Sequence, residues 1–311
     1  MHVVVVAGVS MFALMGFVSL LVWRQERHRR LCHQRPPQPE KLLRPAGYTL
    51  LLRLDDIMDK AVTKMFVGMG SAALLILTVT ALGPIAYGLL VGKVELNQLT
   101  HPRILGSVLM VALFALASLL ALIYSAFSIF KHLNQARNCR FGLRGEQAVA
   151  EALIGPEVIR AGYTAFHDVP GSEKWNIDHV VVGPAGVFVL ETKTRPKRNS
   201  TNDLPDHEVR FDGGTLRFPW CYDGKAAAQA KRNAEWMRQF IADFAPKDIV
   251  VQAVLVLPGW WVTSQGDYPV KAMNAKYLRG TYLPSLPRRF TPDQLQPILR
   301  RLDERCRTLD F

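Results

Sequence analysis

Three long apolar segments that contain no Asp, Glu, Lys or Arg constrain the fold of this 311-residue chain most strongly. They are residues 3–23, 65–91 and 104–130, with lengths of 21, 27 and 27 residues. Each is longer than the roughly 20 residues that a helix needs to cross the hydrocarbon core of a bilayer. The sequence therefore predicts three membrane spans and excludes a single water-soluble domain.

The basic residues beside these segments predict the orientation, because cytoplasmic loops are enriched in Lys and Arg. Residues 24–64 contain ten basic and five acidic residues, whereas the loop between the second and third segments has only Lys93 and Arg103 as basic residues. Four further basic residues closely follow the third segment. We expect a multi-pass protein of the cell (inner) membrane, with the N-terminus outside and residues 131–311 in the cytoplasm, and the lipid bilayer as a partner.

A secretory signal peptide is the alternative interpretation of residues 3–23. No Lys or Arg precedes this segment, and it exceeds the 7–15 residues of a signal-peptide core, so an uncleaved anchor is favoured. None of the segments contains an ionisable Asp, Glu, Lys or Arg, which argues against transport. Small residues in the second and third segments leave open close helix packing and a homo-oligomer.

Residues 131–311 differ from the anchor region 1–130 and have a net charge of +6, from 26 basic and 20 acidic residues. Hydrophobic periodicity and turn residues predict an order of helix, strands, helix, strand and helix. The predicted helices are 142–154, 224–244 and 291–309; the predicted strands are 163–169, 176–182, 187–193 and 249–257, with a small hairpin at 208–218. This order predicts an α/β fold with a mixed sheet covered by helices on both faces.

The hairpin around residues 183–186 (Gly-Pro-Ala-Gly) places two acids together. With a four-residue loop, Asp178 lies directly opposite Glu191 on one face, and Lys193 follows on that face. Like charges directly opposite destabilise a sheet, but a divalent cation between them reverses this effect. Mg²⁺ is typically bound by one or two carboxylates and substrate phosphates. The alternative is that the first acid is exposed at a strand end and the second only pairs with the lysine.

Two helices contribute polar residues on predicted inward faces. Glu146 lies on the inner stripe of the first helix, although stabilisation of the helix dipole in its first turn is an alternative role. Gln229 and Asn233 are four residues apart on the long helix. Three tryptophans, Trp220, Trp260 and Trp261, either stack nucleobases or pack in the core or at the membrane, and packing is favoured.

These motifs resemble the NERD family, the nuclease-related domain. The resemblance rests on Gly-Leu-Arg-Gly-Glu at residues 142–146, on residues 176–193 (Asn-Ile-Asp-His through Leu-Glu-Thr-Lys), and on Gln229 with Asn233. It covers about residues 141–257 and implies a restriction-endonuclease-like core of the PD-(D/E)xK type, related to Holliday-junction resolvases. Residues 258–311 would be a C-terminal helical extension.

Matched position by position, the resemblance implies a metal-dependent site. Asp178 and Glu191 would ligate Mg²⁺ or Mn²⁺, and the backbone carbonyl of Thr192 would complete the metal shell. Lys193 would orient or activate water. Glu146 would be the helical acid of the site.

The same resemblance places Gln229 near the substrate. Three basic residues after the motif, Arg195, Lys197 and Arg198, would contact the phosphate backbone, although a solvated loop is the alternative. The leading hypothesis is a membrane-anchored, metal-dependent phosphodiesterase, endonuclease-like, that acts on cytoplasmic nucleic acid, DNA in the first place. The alternative hypothesis is a catalytically silent NERD module that tethers nucleic acid or a protein partner to the membrane.

Overall fold

The computed structural model describes Arg24 and residues 42–91, 102–172 and 175–309. The first predicted span, residues 3–23, lies outside the described residues. The chain divides into two compact units, and the second unit contains all described residues after 136 together with residues 42–54.

The described residues form two long helices and several short ones. In chain order they are α1 (Tyr48–Leu90), α2 (Pro102–Leu153), α3 (Pro156–Arg160), α4 (Lys225–Ile241), α5 (Ala275–Tyr277), a π-helical turn (Leu278–Tyr282), α6 (Leu283–Ser285) and α7 (Pro292–Cys306). Both α1 and α2 contain windows that are long and apolar enough to cross a bilayer, and few residues in these windows are buried. By length and composition, the described residues thus contain two candidate membrane helices, at the second and third predicted spans.

The long helices extend beyond the apolar segments that predicted them. Helix α1 starts at Tyr48, within the stretch that precedes the second apolar segment. The predicted helix at 142–154 is the end of α2, because residues 131–141 contain no Pro or Gly that would interrupt the helix after the third segment. Within the first unit, Gly68 allows α1 to approach α2 closely, since a Cβ at Gly68 would lie 3.2 Å from the Cβ of Ser125.

The strands form two sheets in the second unit and one short ladder. In chain order they are β1 (Leu42–Leu43), β2 (Thr164–Ser172), β3 (Trp175–Gly183), β4 (Gly186–Thr192), β5 (Glu208–Phe211), β6 (Leu216–Arg217), β7 (Tyr222–Asp223), β8 (Val251–Val256), β9 (Trp261–Ser264), β10 (Val270–Met273) and β11 (Arg307–Leu309). The main sheet has the order β10-β8-β4-β3-β2. Strands β4, β8 and β10 are parallel, and β3 is antiparallel to both neighbours. The predicted mixed α/β sheet is confirmed.

The register of the β3–β4 hairpin follows the prediction. Val182 pairs with Val187 and Val180 pairs with Val189. The pairing continues to the two glycines that flank the turn, so Pro184 and Ala185 alone form the connection.

Helices cover both faces of the main sheet. On one face, Val180 and Val189 belong to a core cluster with residues of α4 and α7. On the other face, Val181 and Leu190 pack with residues from the end of α2, from α3 and from α6. Every residue of β4 is buried, which explains the unbroken apolar run from Val187 to Leu190. Since burial of one large aliphatic side chain contributes about 1.5–3 kcal/mol, these two clusters supply the main stabilisation of the unit.

A second, four-stranded sheet has the order β7-β6-β5-β9. Its first hairpin confirms the one predicted at 208–218. The turn depends on Asp212, whose Oδ1 accepts hydrogen bonds from the backbone N–H groups of Gly214 (2.9 Å) and Thr215 (2.7 Å). Gly213 has a φ of +94°, a conformation that favours glycine.

The chain after residue 306 corrects the predicted helix 291–309. Helix α7 begins with a capping box between Thr291 and Gln294, as its sequence indicates, but it ends at Cys306. Residues 307–309 form β11, which pairs with β1. The partner strand lies more than 260 residues earlier in the chain, so local sequence gives no sign of this pairing.

A buried carboxylate, Asp168 on β2, connects the segment before α1 to the main sheet. Its side chain is fully buried and accepts hydrogen bonds from Arg44 Nη1 (3.1 Å), from the backbone N–H (3.1 Å) and hydroxyl (2.8 Å) of Thr49, and from Asn176 Nδ2 (2.7 Å). Asp168 also has a φ of +47°, which Asp tolerates better than most residues. Asp168 therefore joins β1, the start of α1, β2 and β3.

We predict that Asp168→Ala lowers the free energy of unfolding by about 3 kcal/mol, because it leaves the Arg44 cation and the Thr49 N–H without their buried acceptor. The measurement is denaturant unfolding of the detergent-solubilised chain. The control is Asp267→Ala, which removes an exposed ion pair with Lys271 and should change the stability far less. Equal losses in the two variants would contradict the prediction.

Candidate active site

The candidate site lies where the β3–β4 ladder ends. The last pair in the ladder is His179 with Leu190, so the register would set Asp178 opposite Glu191, although the backbones no longer pair there. Instead, Asp178 Oδ2 accepts a hydrogen bond of 2.7 Å from the backbone N–H of Thr192. This bond places the Asp178 carboxylate against β4 next to the position of Glu191.

Glu191 is the centre of a hydrogen-bond network between β4 and α4. Its side chain is almost fully buried, with 2% of the residue exposed. One oxygen accepts from Lys193 Nζ at 2.7 Å, and the other accepts from Asn233 Nδ2 at 3.0 Å. Lys193 Nζ also donates to Gln229 Oε1 at 3.1 Å. Because Gln229 and Asn233 are four residues apart, they lie on one face of α4 and contact the two charged groups side by side.

Glu146 reaches this region from the polar end of α2. Gly145 permits the approach, since a Cβ there would collide with the side chain of Thr194, just after Lys193. Glu146 is buried, and its Oε2 has no hydrogen-bond partner among the described residues. Because α2 begins at Pro102, the alternative role of Glu146 in a first helical turn does not apply.

Burial raises the pKa of the three clustered carboxyl groups, and repulsion between carboxylates adds to this for Glu146 and Asp178. Burial, followed by the charges of Asp168 and Glu191, raises the pKa of Glu146 to about 8, against the opposing effect of Lys193. Burial, followed by Glu191 and Glu146, raises the pKa of Asp178 well above its usual range. Burial also raises the pKa of Glu191, and Lys193 opposes this shift. Without a bound cation, the site therefore favours the protonated form of these acids.

A divalent cation of the Mg²⁺ type would have a small set of protein ligands at this site. Within the described residues, no three or more His, Cys, Asp or Glu side chains are grouped tightly enough to hold an ion by themselves. The available donors are instead the partly exposed Asp178, the buried Glu191 and the backbone of Thr192. Mg²⁺ uses such sets of one or two carboxylates, completed by water and phosphate oxygens. Glu146 Oε2 has no hydrogen-bond partner among the described residues, so a nearby cation or a bound proton would stabilise this buried oxygen.

The three basic residues after Lys193 lie apart from this cluster, on an exposed loop. Arg195 Nη2 forms an ion pair of 2.8 Å with Asp223 Oδ2. Lys197 Nζ lies 5.5 Å from the centre of the Trp260 ring, a cation–π contact. Arg198 is exposed. The structure thus brings together the predicted acids, Lys193 and the α4 amide, and leaves the predicted phosphate contacts on the neighbouring loop.

Two features beside the site escape sequence reasoning. Asp168 raises the pKa of Glu146, yet it belongs to no motif in the sequence. His167 and His179 form a buried pair with their Nδ1 atoms 2.8 Å apart, and burial lowers the pKa of both rings. These histidines are cross-strand partners on β2 and β3, so only the strand pairing could have identified them.

The raised pKa of Glu146 predicts a pH dependence of stability in the absence of metal. The folded state retains a proton on Glu146 up to about pH 8, whereas the unfolded chain releases it near its ordinary value of 4.5. This contribution to stability is complete below about pH 4.5 and is lost as the pH rises through 8. We expect Glu146→Gln to be more stable than the parent at pH 8, by on the order of 4 kcal/mol, and similar to it near pH 5.

Thermal unfolding of the full chain in EDTA at several pH values measures this effect. The matched control is Glu151→Gln, an exposed glutamate of the same helix, which should keep the parental pH dependence. Because Asp178 and Glu191 also have raised pKa values, Glu146→Gln should reduce the slope of stability against pH without abolishing it. An identical slope in both variants would show that Glu146 does not titrate in this way.

Comparison with known proteins identifies the domain that contains this site. The family model described as NERD, the nuclease-related domain, matches residues 141–258, which is less than half of the chain. No curated protein and no solved structure matches the chain. The matched region contains the end of α2, strands β2–β8 and helix α4. It therefore contains Glu146, Asp178, Glu191 and Lys193, which we call the acid–lysine cluster. Residues 141–258 of this chain are therefore a nuclease-related domain of the NERD family.

Proposed function

We propose that this NERD domain is a metal-dependent phosphodiesterase, endonuclease-like, that cleaves nucleic acid, DNA in the first place, and that its core is restriction-endonuclease-like. The observation that carries the proposal is the contact of 2.7 Å between Lys193 Nζ and the buried Glu191, beside Asp178. An acid on one strand, and an acid and a lysine two residues apart on the next, match the PD-(D/E)xK pattern. The family match to a nuclease-related domain supports the same class of function.

Each residue of the cluster has a chemical role in this proposal. Asp178 and Glu191, with the carbonyl of Thr192, would hold Mg²⁺ or Mn²⁺. Such an ion, when bound, would supply polarisation of the scissile phosphate and a lowered pKa for a water molecule. The Lys193 ammonium has three N–H donors and uses two of them on Glu191 and Gln229. The third donor is left for the attacking water or a phosphate oxygen, and its positive charge offsets the charge that develops there.

The α4 amides act as positioning residues. The Gln229 side chain accepts a hydrogen bond from Lys193, and the Asn233 side chain donates one to Glu191. Both contacts restrict the charged groups to one geometry before a substrate binds. Glu146, whose carboxyl is protonated over much of the neutral range without metal, is the helical acid that adjusts the charge of the site.

We place this activity at a membrane. Residues 1–130 would anchor the protein in the cell (inner) membrane as a multi-pass region, with the N-terminus outside and residues 131–311 in the cytoplasm. The two candidate membrane helices and the basic residues beside them support this arrangement. The close approach at Gly68 and Ser125 shows that small residues serve packing of these helices, and the same kind of contact would support a homo-oligomer.

Cleavage by site variants tests the enzymatic proposal. We expect Asp178→Ala and Lys193→Ala to reduce Mg²⁺- or Mn²⁺-dependent cleavage of DNA or RNA by at least roughly 10²-fold, because each removes a charge that stabilises the transition state. The assay uses the detergent-solubilised full chain, with EDTA as the metal-free reference. Asp248→Ala, at an exposed position outside the cluster, should cleave like the parent.

Two outcomes would count against catalysis. Unchanged cleavage by both site variants would reject the assigned residues. Nucleic-acid binding without cleavage in either metal would instead support the alternative function, a catalytically silent module that tethers nucleic acid or a partner to the membrane.

The basic loop gives a separate prediction about binding. If Lys197 and Arg198 contact phosphates, Lys197→Ala and Arg198→Ala should each reduce the slope of log affinity against log salt by roughly 1. Fluorescence anisotropy in EDTA measures affinity without cleavage. The control is Lys247→Ala, an exposed lysine elsewhere in the domain. Equal slopes in all three variants and the parent would identify the loop as merely solvated.

A further inference from the structure

A cavity of about 700 Å³ lies in the second unit, outside the acid–lysine cluster. Two aromatic side chains that line it are exposed to an unusual degree, Trp261 by 63% and Tyr277 by 51%. We call this cavity the aromatic pocket. Large exposed aromatic groups in a concavity are typical of binding sites, because their desolvation favours a ligand.

The aromatic pocket lies at the same edge of the main sheet as the proposed active site. Strands β4, β8 and β10 are parallel, and their last residues, Thr192, Val256 and Met273, lie side by side. Two backbone hydrogen bonds of 2.9 Å continue this alignment, from Lys193 N–H to the Val256 carbonyl and from Leu257 N–H to the Met273 carbonyl. Since neighbouring strands are about 4.8 Å apart, Met273, which lines the pocket, is roughly 10 Å from Thr192.

Local backbone structure fixes Trp261 on the outside. A turn at Pro258 and Gly259 follows β8, with a hydrogen bond of 3.3 Å from Trp260 N–H to the Leu257 carbonyl and a Gly259 φ of +80°, as in a type II turn. Trp260 is then buried among core aromatic rings, which confirms the packing expected for it. Trp261 begins β9 and is 63% exposed, so the part of the prediction that placed Trp261 in the core is wrong.

Tyr277 is also held by its backbone. The Asn274 side chain caps the short helix α5 and accepts a hydrogen bond of 2.8 Å from the Tyr277 N–H. The π-helical turn that follows buries Leu278 and leaves Tyr277 at the pocket. Such π-helical turns often occur at functional sites. Both rings therefore stand on ordered backbone, which reduces the entropy lost when a flat ligand stacks on them.

The charges around the aromatic pocket favour a ligand that contains phosphate. Lys276 and Arg279 line it, and in the described part of the chain neither forms an ion pair. One carboxylate, Glu157, lines the pocket as well, so the cations are in excess. Aromatic faces for stacking together with unpaired cations for phosphate are the combination that single-stranded nucleic acids use.

We propose that the aromatic pocket binds an unpaired nucleobase and its phosphate on the strand that enters the acid–lysine site. The proposal rests on the proposed function and specifies its substrate class as nucleic acid with a single-stranded part. A base in an intact duplex is stacked on its neighbours and cannot stack on Trp261 or Tyr277 without leaving the duplex. The separation of roughly 10 Å between Met273, at the pocket, and Thr192, at the acid–lysine site, corresponds to a few nucleotides of one strand.

The test measures binding alone, with the full chain in detergent and EDTA. The probes are a fluorescent oligodeoxyuridylate, an oligouridylate, which differs from it in the sugar alone, and a blunt duplex of the same length. We expect Trp261→Ala and Tyr277→Ala each to weaken binding of a single-stranded probe by roughly tenfold, and to change duplex binding by less than roughly twofold. Trp261→Phe keeps a stacking surface and should bind nearly as the parent does.

The matched control is Tyr222→Ala, an exposed tyrosine on β7 that does not line the aromatic pocket, and it should bind like the parent. A preference for one of the single-stranded probes identifies the sugar, and the loss in the alanine variants supports the proposal with either sugar. Parental affinity in both alanine variants, an equal loss for the duplex, or no binding of either single-stranded probe by the parent would overturn it.

The binding test and the cleavage test can reject the two proposals independently of each other. If Asp178→Ala abolishes cleavage but the pocket variants bind like the parent, only the aromatic pocket proposal is rejected. If Asp178→Ala leaves cleavage unchanged, the proposed function is rejected, while loss of single-stranded binding in the pocket variants still locates a nucleic-acid site.

Discussion

The Glu191 carboxylate is buried at the end of the central strand β4, and the rest of the domain depends on how this buried charge is compensated. A buried carboxylate is costly unless it is paired and hydrogen-bonded. Lys193 and Asn233 together satisfy both oxygens, and this requires α4 to cross the sheet at that point. Once α4 is placed, its apolar stripe and the valines of β3 and β4 form the larger core cluster. The position of the charge and the position of the core are therefore set by the same contact.

The buried acids of the domain fall into two kinds. Asp168 accepts four hydrogen bonds and forms an ion pair, so the protein itself compensates its charge. Glu146 has an oxygen without a hydrogen-bond partner among the described residues, and burial, followed by the nearby charges of Glu191 and Glu146, raises the pKa of Asp178. Compensation of the first kind is typical of a structural residue. Incomplete compensation is typical of a site that receives a cation, a proton or a substrate from outside.

The parts of the fold that local patterns determine could be predicted from the sequence. The valines of both strands and a turn bounded by glycines predict the β3–β4 register, and this register predicts that Asp178 lies beside Glu191. The backbone pairing ends one residue earlier, at His179 and Leu190, and Asp178 instead contacts β4 through its side chain. Long-range features could not be predicted. The strand β11 depends on a partner near residue 42, and Asp168 gains its role only when residues far apart in the chain meet. Trp260 is buried and Trp261 is exposed, and the turn at Gly259 that precedes them determines this difference. Composition does not reveal that turn geometry.

The contribution of residues 42–54 to the second unit has a practical consequence for fragment design. A soluble fragment cut at residue 131, where the apolar segments end, would omit β1, Arg44 and Thr49. Asp168 would then keep only Asn176 among its donors, and β11 would have an open edge. Such a fragment would contain every residue that matches the nuclease-related family and would still lack part of its own scaffold. Joining residues 42–54 to the fragment through a designed linker would restore those contacts without the apolar helices.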